Sequence, residues 1–274
     1  MIPSNAIRTA SVPYPLDNQH SQGGAHLDSL ADLLDPFTKS RIAGLGEWRG
    51  ASVLEVGAGS GSVALWIADK LGDRGLVIAT DKKPDFIRPH PRLRVLQHDL
   101  TSNERLPEGP YDLIHARLVL GHLPQRELVL RRLCGYLRPG GTILLEEWAR
   151  LRTRAELVMV APTEEIATLY GRCQEAVRDI FDAHGTDRGW ARSMHADLLA
   201  EGLRDVQTEI HARYWVGGDA GCRMVGATIE QLRPRLVERG LTELELDQLA
   251  SLLMDRRLVV HGHPLYSTSG RRPG

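Results

Sequence analysis

Three glycines, Gly57, Gly59 and Gly61, follow a short apolar stretch, Ser52-Val53-Leu54-Glu55-Val56, and lead into a helical one at 62–71. Side chains in such a turn would keep a ligand away from the backbone, and positive φ is often needed there. The rhythm then repeats. Apolar strands read at 76–80, 93–96, 111–115 and 142–146, and a helix at 123–137 is closed by Pro139-Gly140-Gly141. Strands alternating with helices argue for a parallel sheet covered on both faces. A glycine turn at the carboxyl edge of its first strand lies where open α/β sheets bind nucleotides; taken alone the pattern is weak, and a plain turn is its alternative. No Gly-Lys-Ser/Thr follows, so a triphosphate loop is unsupported, and the spacing is G-x-G-x-G rather than G-x-G-x-x-G.

Charge removes other classes. Thirty-four basic against thirty-five acidic residues leave a formal net charge of −1, so there is no global electrostatic reason to expect a nucleic-acid or membrane-surface binder. A near-neutral chain favours a small, largely uncharged partner molecule. Cys134, Cys173 and Cys222 are too far apart for a C-x-x-C pair, which argues against a disulfide framework or a thiolate metal site. The first residues carry no basic stretch followed by an apolar run, and no apolar run reaches the roughly 18 residues of a membrane span. A cytoplasmic protein is expected.

Around the repeating core the pattern changes. Residues 1–50 read as an N-terminal helical arm, with one helical stretch through Leu27, Leu30, Leu33 and Leu34 that Pro36 interrupts and a second through Phe37, Ile42 and Leu45. Residues 51–274 read as one domain carrying helical insertions near 154–183, where no strand is expected, and near 220–255. Strand-like segments fall at 206–215 and 258–266, a further helix at 194–202, and the Arg-Arg-Pro-Gly end is expected to fray. The extra helices suit a substrate cap or the surface of a homodimer or higher homo-oligomer. Met159, Ile166, Leu169 and Tyr170 offer an apolar face for a bound molecule, or for core packing.

Two carboxylates refine the ligand. Glu55, just before the glycines, is a poor host for pyrophosphate but suits a ligand carrying an ammonium and a sulfonium. Asp81 directly follows the second strand, where a carboxylate accepts from both ribose hydroxyls; a turn or helix-cap role is the alternative. With His98-Asp99, Tyr111-Asp112-Leu113-Ile114 and Leu137-Arg138-Pro139-Gly140-Gly141, the segment Glu55-Val56-Gly57-Ala58-Gly59-Ser60-Gly61 resembles a class I S-adenosylmethionine-dependent methyltransferase. The likeness covers 51–147 by motif. Tyr14-Pro15-Leu16-Asp17-Asn18 and Leu34-Asp35-Pro36-Phe37-Thr38 are similar to small-molecule methyltransferases of actinomycete secondary metabolism. Thirty arginines against four lysines agree with such an origin.

The resemblance implies an α/β fold: a doubly wound, mostly parallel seven-stranded sheet with an antiparallel C-terminal hairpin at its edge, formed by 206–214 and 258–266. It implies S-adenosyl-L-methionine as cofactor, with Gly57, Gly59 and Gly61 along its methionine part and Asp81 on its ribose. Asp99, with Leu100, would face the adenine edge. Ala116 would approach the methionyl moiety through its backbone. Arg117 would pair with the cofactor carboxylate, or form an outward ion pair.

Methyl transfer needs the acceptor held about 3 Å from the methyl carbon and in line, and a base where the acceptor must lose a proton. His122 opens the helix after the fourth strand and titrates near working pH; a structural role is its alternative. Glu146 and Glu147 end the fifth strand, and alternation sends one of them toward the crevice. Trp148 would wall the pocket, and Tyr14 would cover it if the arm folds over. His115 reads as a core histidine, and His261 with His263 does not make a metal site. The expected reaction is methylation of a small hydrophobic or aromatic molecule at oxygen or carbon. A nicotinamide-dependent oxidoreductase on a related fold is the alternative, as is a non-catalytic protein that keeps the cofactor fold.

Overall fold

Apolar strands and helices alternate along the chain of the computed structural model, which describes residues 15–17, 20–102, 104–106, 109–150 and 157–274. The order begins α1 (Gly23–Leu45), β1 (Ser52–Val56), α2 (Ser62–Lys70), β2 (Leu76–Asp81), β3 (Leu93–Gln97) and β4 (Tyr111–Arg117). It continues through α3 (Arg126–Tyr136), β5 (Leu137–Trp148), β6 (Val158–Val160), α4 (Glu164–Asp182) and α5 (Met194–Ala200). The last part comprises β7 (Arg204–His211), β8 (Tyr214–Val216), α6 (Ala220–Val237), α7 (Glu243–Leu252), β9 (Val259–His261) and β10 (Leu265–Arg271). Among the described residues no helix is long and apolar enough to cross a membrane.

Seven strands form one sheet in the order β3-β2-β1-β4-β5-β10-β7. β1 to β5 pair in parallel, and β10 runs antiparallel to both β5 and β7. Side chains alternate across the sheet as the two-residue period requires. Val53, Val77, Leu113 and Leu144 pack with Ile42 of α1 and with α2; Leu54, Ile78, Ile114 and Ile143 pack with α3 and α5. Each such burial contributes roughly 1.5–3 kcal/mol. The chain goes to β2 on one side of β1, while β4 lies on the other. The turn after β1 therefore opens at the point where the winding reverses, the usual site of a crevice.

The arm is one helix rather than two. Pro36 lies inside α1 and is exposed, so the carbonyl it leaves unbonded meets solvent and the helix continues. Pro139-Gly140-Gly141 is not a free turn: β5 already starts at Leu137, paired with Tyr111. A Cβ on Gly141 would fall 2.7 Å from the Tyr111 carbonyl oxygen, so that approach requires glycine. The C-terminal end does not fray into solvent. Arg271 pairs with Thr142, and Arg272 exchanges backbone hydrogen bonds with Gly140 and Gly141.

The late strands do not form a single hairpin, because each one passes from one sheet to another. β7 and β10 complete the large sheet, while β8 and β9 join β6 in a three-stranded antiparallel sheet, order β6-β9-β8. The strand β6 corrects the all-helical reading of the first insertion, whose residues 154–156 lie outside the described ones. α4, α6 and α7 share a third core with this small sheet through Cys173, Ile180, Cys222, Ile229, Leu246 and Val260. The two insertions thus make one cap. Their helices start where the sequence signals it: Thr163 and Asp219 accept from backbone N–H groups of α4 and α6, and Thr242 with Glu245 closes a capping box on α7. α1 lies along α6, tied by Arg223–Asp32 at 3.2 Å.

Candidate active site

The turn after β1 has left-handed backbone at Gly57 (φ 64°), Gly59 (φ 57°) and Gly61 (φ 76°), a conformation only glycine adopts without strain. A Cβ on Gly57 would overlap Val119 of the loop after β4, and one on Gly61 would fall 2.7 Å from Ile87 Cγ2. Asp81, at the end of β2, fixes the turn: Oδ2 accepts from Gly59 N and Oδ1 from Lys83 N, both at 2.9 Å. From this turn a cavity of about 920 Å³ runs under α1 and the cap to an aromatic wall. That volume is at the upper end for a small-molecule site.

Glu55, Gly57, Gly59, Asp81, Leu100, Arg117, His122 and Glu147 line this cavity. Four other residues named from the sequence do not, and each has a local reason. Gly61 caps α2 and faces Ile87. Asp99 closes its own turn: Oδ1 accepts from Thr101 N and Oγ1, and Oδ2 pairs with Lys82 at 3.0 Å. Ala116 is buried inside the sheet. Glu146 points the other way from Glu147, accepting from Thr38 Oγ1 at 2.5 Å and Ser267 Oγ at 2.8 Å with no exposed surface. Tyr14 lies outside the described residues.

Arg117 does form an ion pair, but with the arm. It donates to Asp35 Oδ1 at 2.8 Å and to Thr38 Oγ1 at 2.9 Å, and so holds α1 against the sheet beside the cavity. The apolar face proposed for α4 belongs to the cap: Leu169 and Tyr170 are core residues, Ile166 packs on them, and Met159 is exposed on β6. α4 reaches the cavity one to three turns later, through Gln174, Val177 and Phe181. The sequence reading also missed His26 and Leu27 of α1, Thr186 and Arg188 after α4, and Thr228 of α6, all of which line the cavity. Leu27 stands 3.2 Å from where a Cβ on Gly59 would be, so the arm helix covers the glycine turn directly. Trp148 walls the cavity as expected, next to His263 at 5.5 Å between ring centroids.

Burial sets the protonation of the site. Glu147 accepts through Oε1 from Val119 N and Gly121 N, both at 3.0 Å, yet burial outweighs these bonds and pushes its carboxyl up to about 7. His122 bonds Thr186 Oγ1 at 3.1 Å, and burial, helped by Arg188 and Arg126, lowers it to about 3. Burial likewise lowers His26 to about 4 and His263 to about 3. For His115 burial opposes the charge, but the Glu55 and Glu146 carboxylates prevail and raise it to about 9.

These shifts make stability peak near neutral pH. His26, His122 and His263 stay neutral in the folded state, while the unfolded chain protonates them near 6.5. Their contribution is present above that value and is lost as pH falls toward 4. Glu147, raised to about 7, offsets one of these three protons. His115 works on the alkaline side: its stabilisation is full below about 6.5 and is lost as pH rises through about 9. Urea unfolding between pH 4.5 and 9 is expected to show losses on both sides of neutrality, on the order of 2 kcal/mol per pH unit on the acid limb. A flat profile would contradict these assignments.

The comparisons with known proteins show the family. A family model described as a methyltransferase domain matches residues 27–198, more than half of the chain. The chain belongs to this methyltransferase family. Its match agrees with the class I resemblance and sets aside the oxidoreductase alternative. The methyltransferase str3 of Strobilurus tenacellus is 32% identical over 145 residues, covering 53% of this chain and 50% of that protein. The methyltransferase GfsG of Streptomyces halstedii is 28% identical over 149 residues, covering 52% and 50%. The chain thus spans about half the length of the curated relatives it matches. Among solved structures, phosphoethanolamine N-methyltransferase 2 of Haemonchus contortus, in complex with phosphomonomethylethanolamine and S-adenosylhomocysteine, superposes with a TM-score of 0.54 at 14% identity. That match covers 96% of this methyltransferase and 61% of the other chain, and at this identity the likeness concerns the fold alone.

Proposed function

We propose that this methyltransferase uses S-adenosyl-L-methionine to methylate a small hydrophobic or aromatic molecule at oxygen or carbon. The observation that carries the reading is the continuity of one cavity, which joins the left-handed glycine turn and Asp81 to a chamber walled by Trp148, Phe181, Val177 and Ile229. The residues at the turn fit the cofactor. Gly57 and Gly59 bring backbone without a side chain to the cavity wall, Asp81 keeps lone pairs beyond its two backbone bonds for ribose hydroxyls, and Glu55 supplies negative charge for an ammonium. The solved structure of similar fold that holds S-adenosylhomocysteine supports the same choice. When bound, the cofactor brings an already activated methyl sulfonium.

The chain's own task is to hold an acceptor in line and to take a proton. Of the three bases named from the sequence, Glu147 serves best. Glu146 is turned into the sheet, and the imidazole of His122, at about 3, is a weak proton acceptor. A carboxyl at about 7 on the cavity wall matches the acidity that efficient proton transfer asks for near neutral pH. The bonds from Val119 N and Gly121 N keep that carboxyl in place beside the loop after β4. α1 and the cap close over the acceptor and exclude water.

Incubation with methyl-labelled S-adenosylmethionine and an extract of the host is expected to transfer label to a small apolar product identified by mass. Label found only in protein or nucleic acid would refute the acceptor class.

A further inference from the structure

The centre of the sheet holds three ionisable side chains in a row. Glu55 on β1 is the register neighbour of His115 on β4, and Glu146 stands two residues along from the β5 partner of His115. His115 Nδ1 lies 2.7 Å from Glu55 Oε2, and Nε2 lies 3.4 Å from Glu146 Oε2. On the same face of the sheet Val53, Leu113 and Leu144 are apolar and fully buried. Apolar side chains of the same volume would fill these positions with less desolvation, so the fold alone does not ask for the row.

The two ends of the row differ. Glu146 is completed by the Thr38 and Ser267 hydroxyls and has no exposed surface. Glu55 has His115 as its only side-chain partner among the described residues, and it lines the cavity at the foot of Gly57. The row is closed toward α1 and open toward the ligand. Arg117, which donates to Thr38 beside Glu146, adds positive charge at the closed end, so the carboxylate that faces the cavity is Glu55 at the open end.

We propose that His115 is a positioning residue for the cofactor's amino group: anchored by Glu146, it fixes the Glu55 carboxylate so that its second oxygen receives the ligand's ammonium. This rests on the S-adenosylmethionine reading above. His115 touches no ligand and acts through Glu55. Its charge is the counter-ion that a carboxylate needs at this depth, and its two carboxylate neighbours hold that charge in place.

The test compares S-adenosylhomocysteine with its des-amino analogue, which lacks only the ammonium, by calorimetry on the full chain. Wild type is expected to bind the parent compound more tightly. His115→Gln is expected to weaken S-adenosylhomocysteine by about 10–100-fold and the des-amino analogue by less than about threefold, and Glu55→Gln is expected to do the same. Should His115→Gln not fold, Glu146→Gln, which keeps the shape and an acceptor for one of the two hydroxyls, is expected to give a smaller loss with the same selectivity. Equal weakening of both ligands, or of neither, would overturn the role of His115. Failure of wild type to bind S-adenosylhomocysteine would instead overturn the cofactor reading, so the two failures are distinguishable.

Discussion

Glutamine in place of Glu147 is expected to lower kcat by roughly 10²–10⁴-fold, the usual contribution of a placed general base, while S-adenosylmethionine affinity changes by less than about threefold. The amide oxygen still accepts from Val119 N and Gly121 N, so the loop after β4 keeps its support and only the proton acceptor is lost. The pH–rate profile separates this from a structural effect. With Glu147 as the base, activity is expected to rise as pH passes through about 7, where its carboxylate forms; in Glu147→Gln that rise is expected to disappear. A variant that keeps more than a tenth of the rate and the same profile would remove Glu147 from the chemistry. His122 would then be the group to test, through His122→Asn.

The second large effect concerns stability. His115→Leu leaves Glu55 and Glu146 buried without their shared imidazolium, and breaking a buried ion pair from one side costs about 3–5 kcal/mol. Urea denaturation at pH 7 measures this directly. Replacing Glu55, His115 and Glu146 together by apolar residues of like volume is expected to recover part of that loss, since the uncompensated charges go with it while the Thr38 and Ser267 hydroxyls lose an acceptor. The triple variant is expected to fold but to bind S-adenosylmethionine poorly, which distinguishes a row kept for binding from one kept for stability. A cost below about 1 kcal/mol for His115→Leu would mean that the three groups are not ionised as described.

Much of the sheet was legible because its strands advertise themselves. β1, β2 and β4 are short apolar runs ended by turn chemistry, and each is buried on both faces. The turn at Gly57 and Gly59 was readable since only glycine adopts its left-handed backbone without strain, and the place of Asp81 since it follows its strand directly. Other features depended on information that a single stretch does not carry. Pro36 looks like a helix break, and whether it is one depends on the ring facing solvent. The strand β6 has three residues, too few for a two-residue period to appear, and nothing in 206–215 or 258–266 tells that each segment splits between two sheets. Alternation told that one of Glu146 and Glu147 faces the crevice, but the choice rests on the register of β5 against its neighbours. Asp99 was named for its place after β3; its carboxylate bonds Thr101 and Lys82 and does not line the cavity. The row from Glu55 through His115 to Glu146 was harder still: three strands from distant parts of the chain must be in register before the residues meet, and His115 alone reads as one more core histidine.

The most direct test is a calorimetric titration of S-adenosylmethionine into wild type and Asp81→Ala. Wild type is expected to bind in the micromolar range, as is typical of enzyme ligands. Asp81→Ala is expected to bind about 10–100-fold more weakly, having lost charge-assisted bonds to the ribose and the acceptor that fixes Gly59 N. No binding to the wild type, or undiminished affinity in Asp81→Ala, would contradict the placement of the cofactor in this cavity.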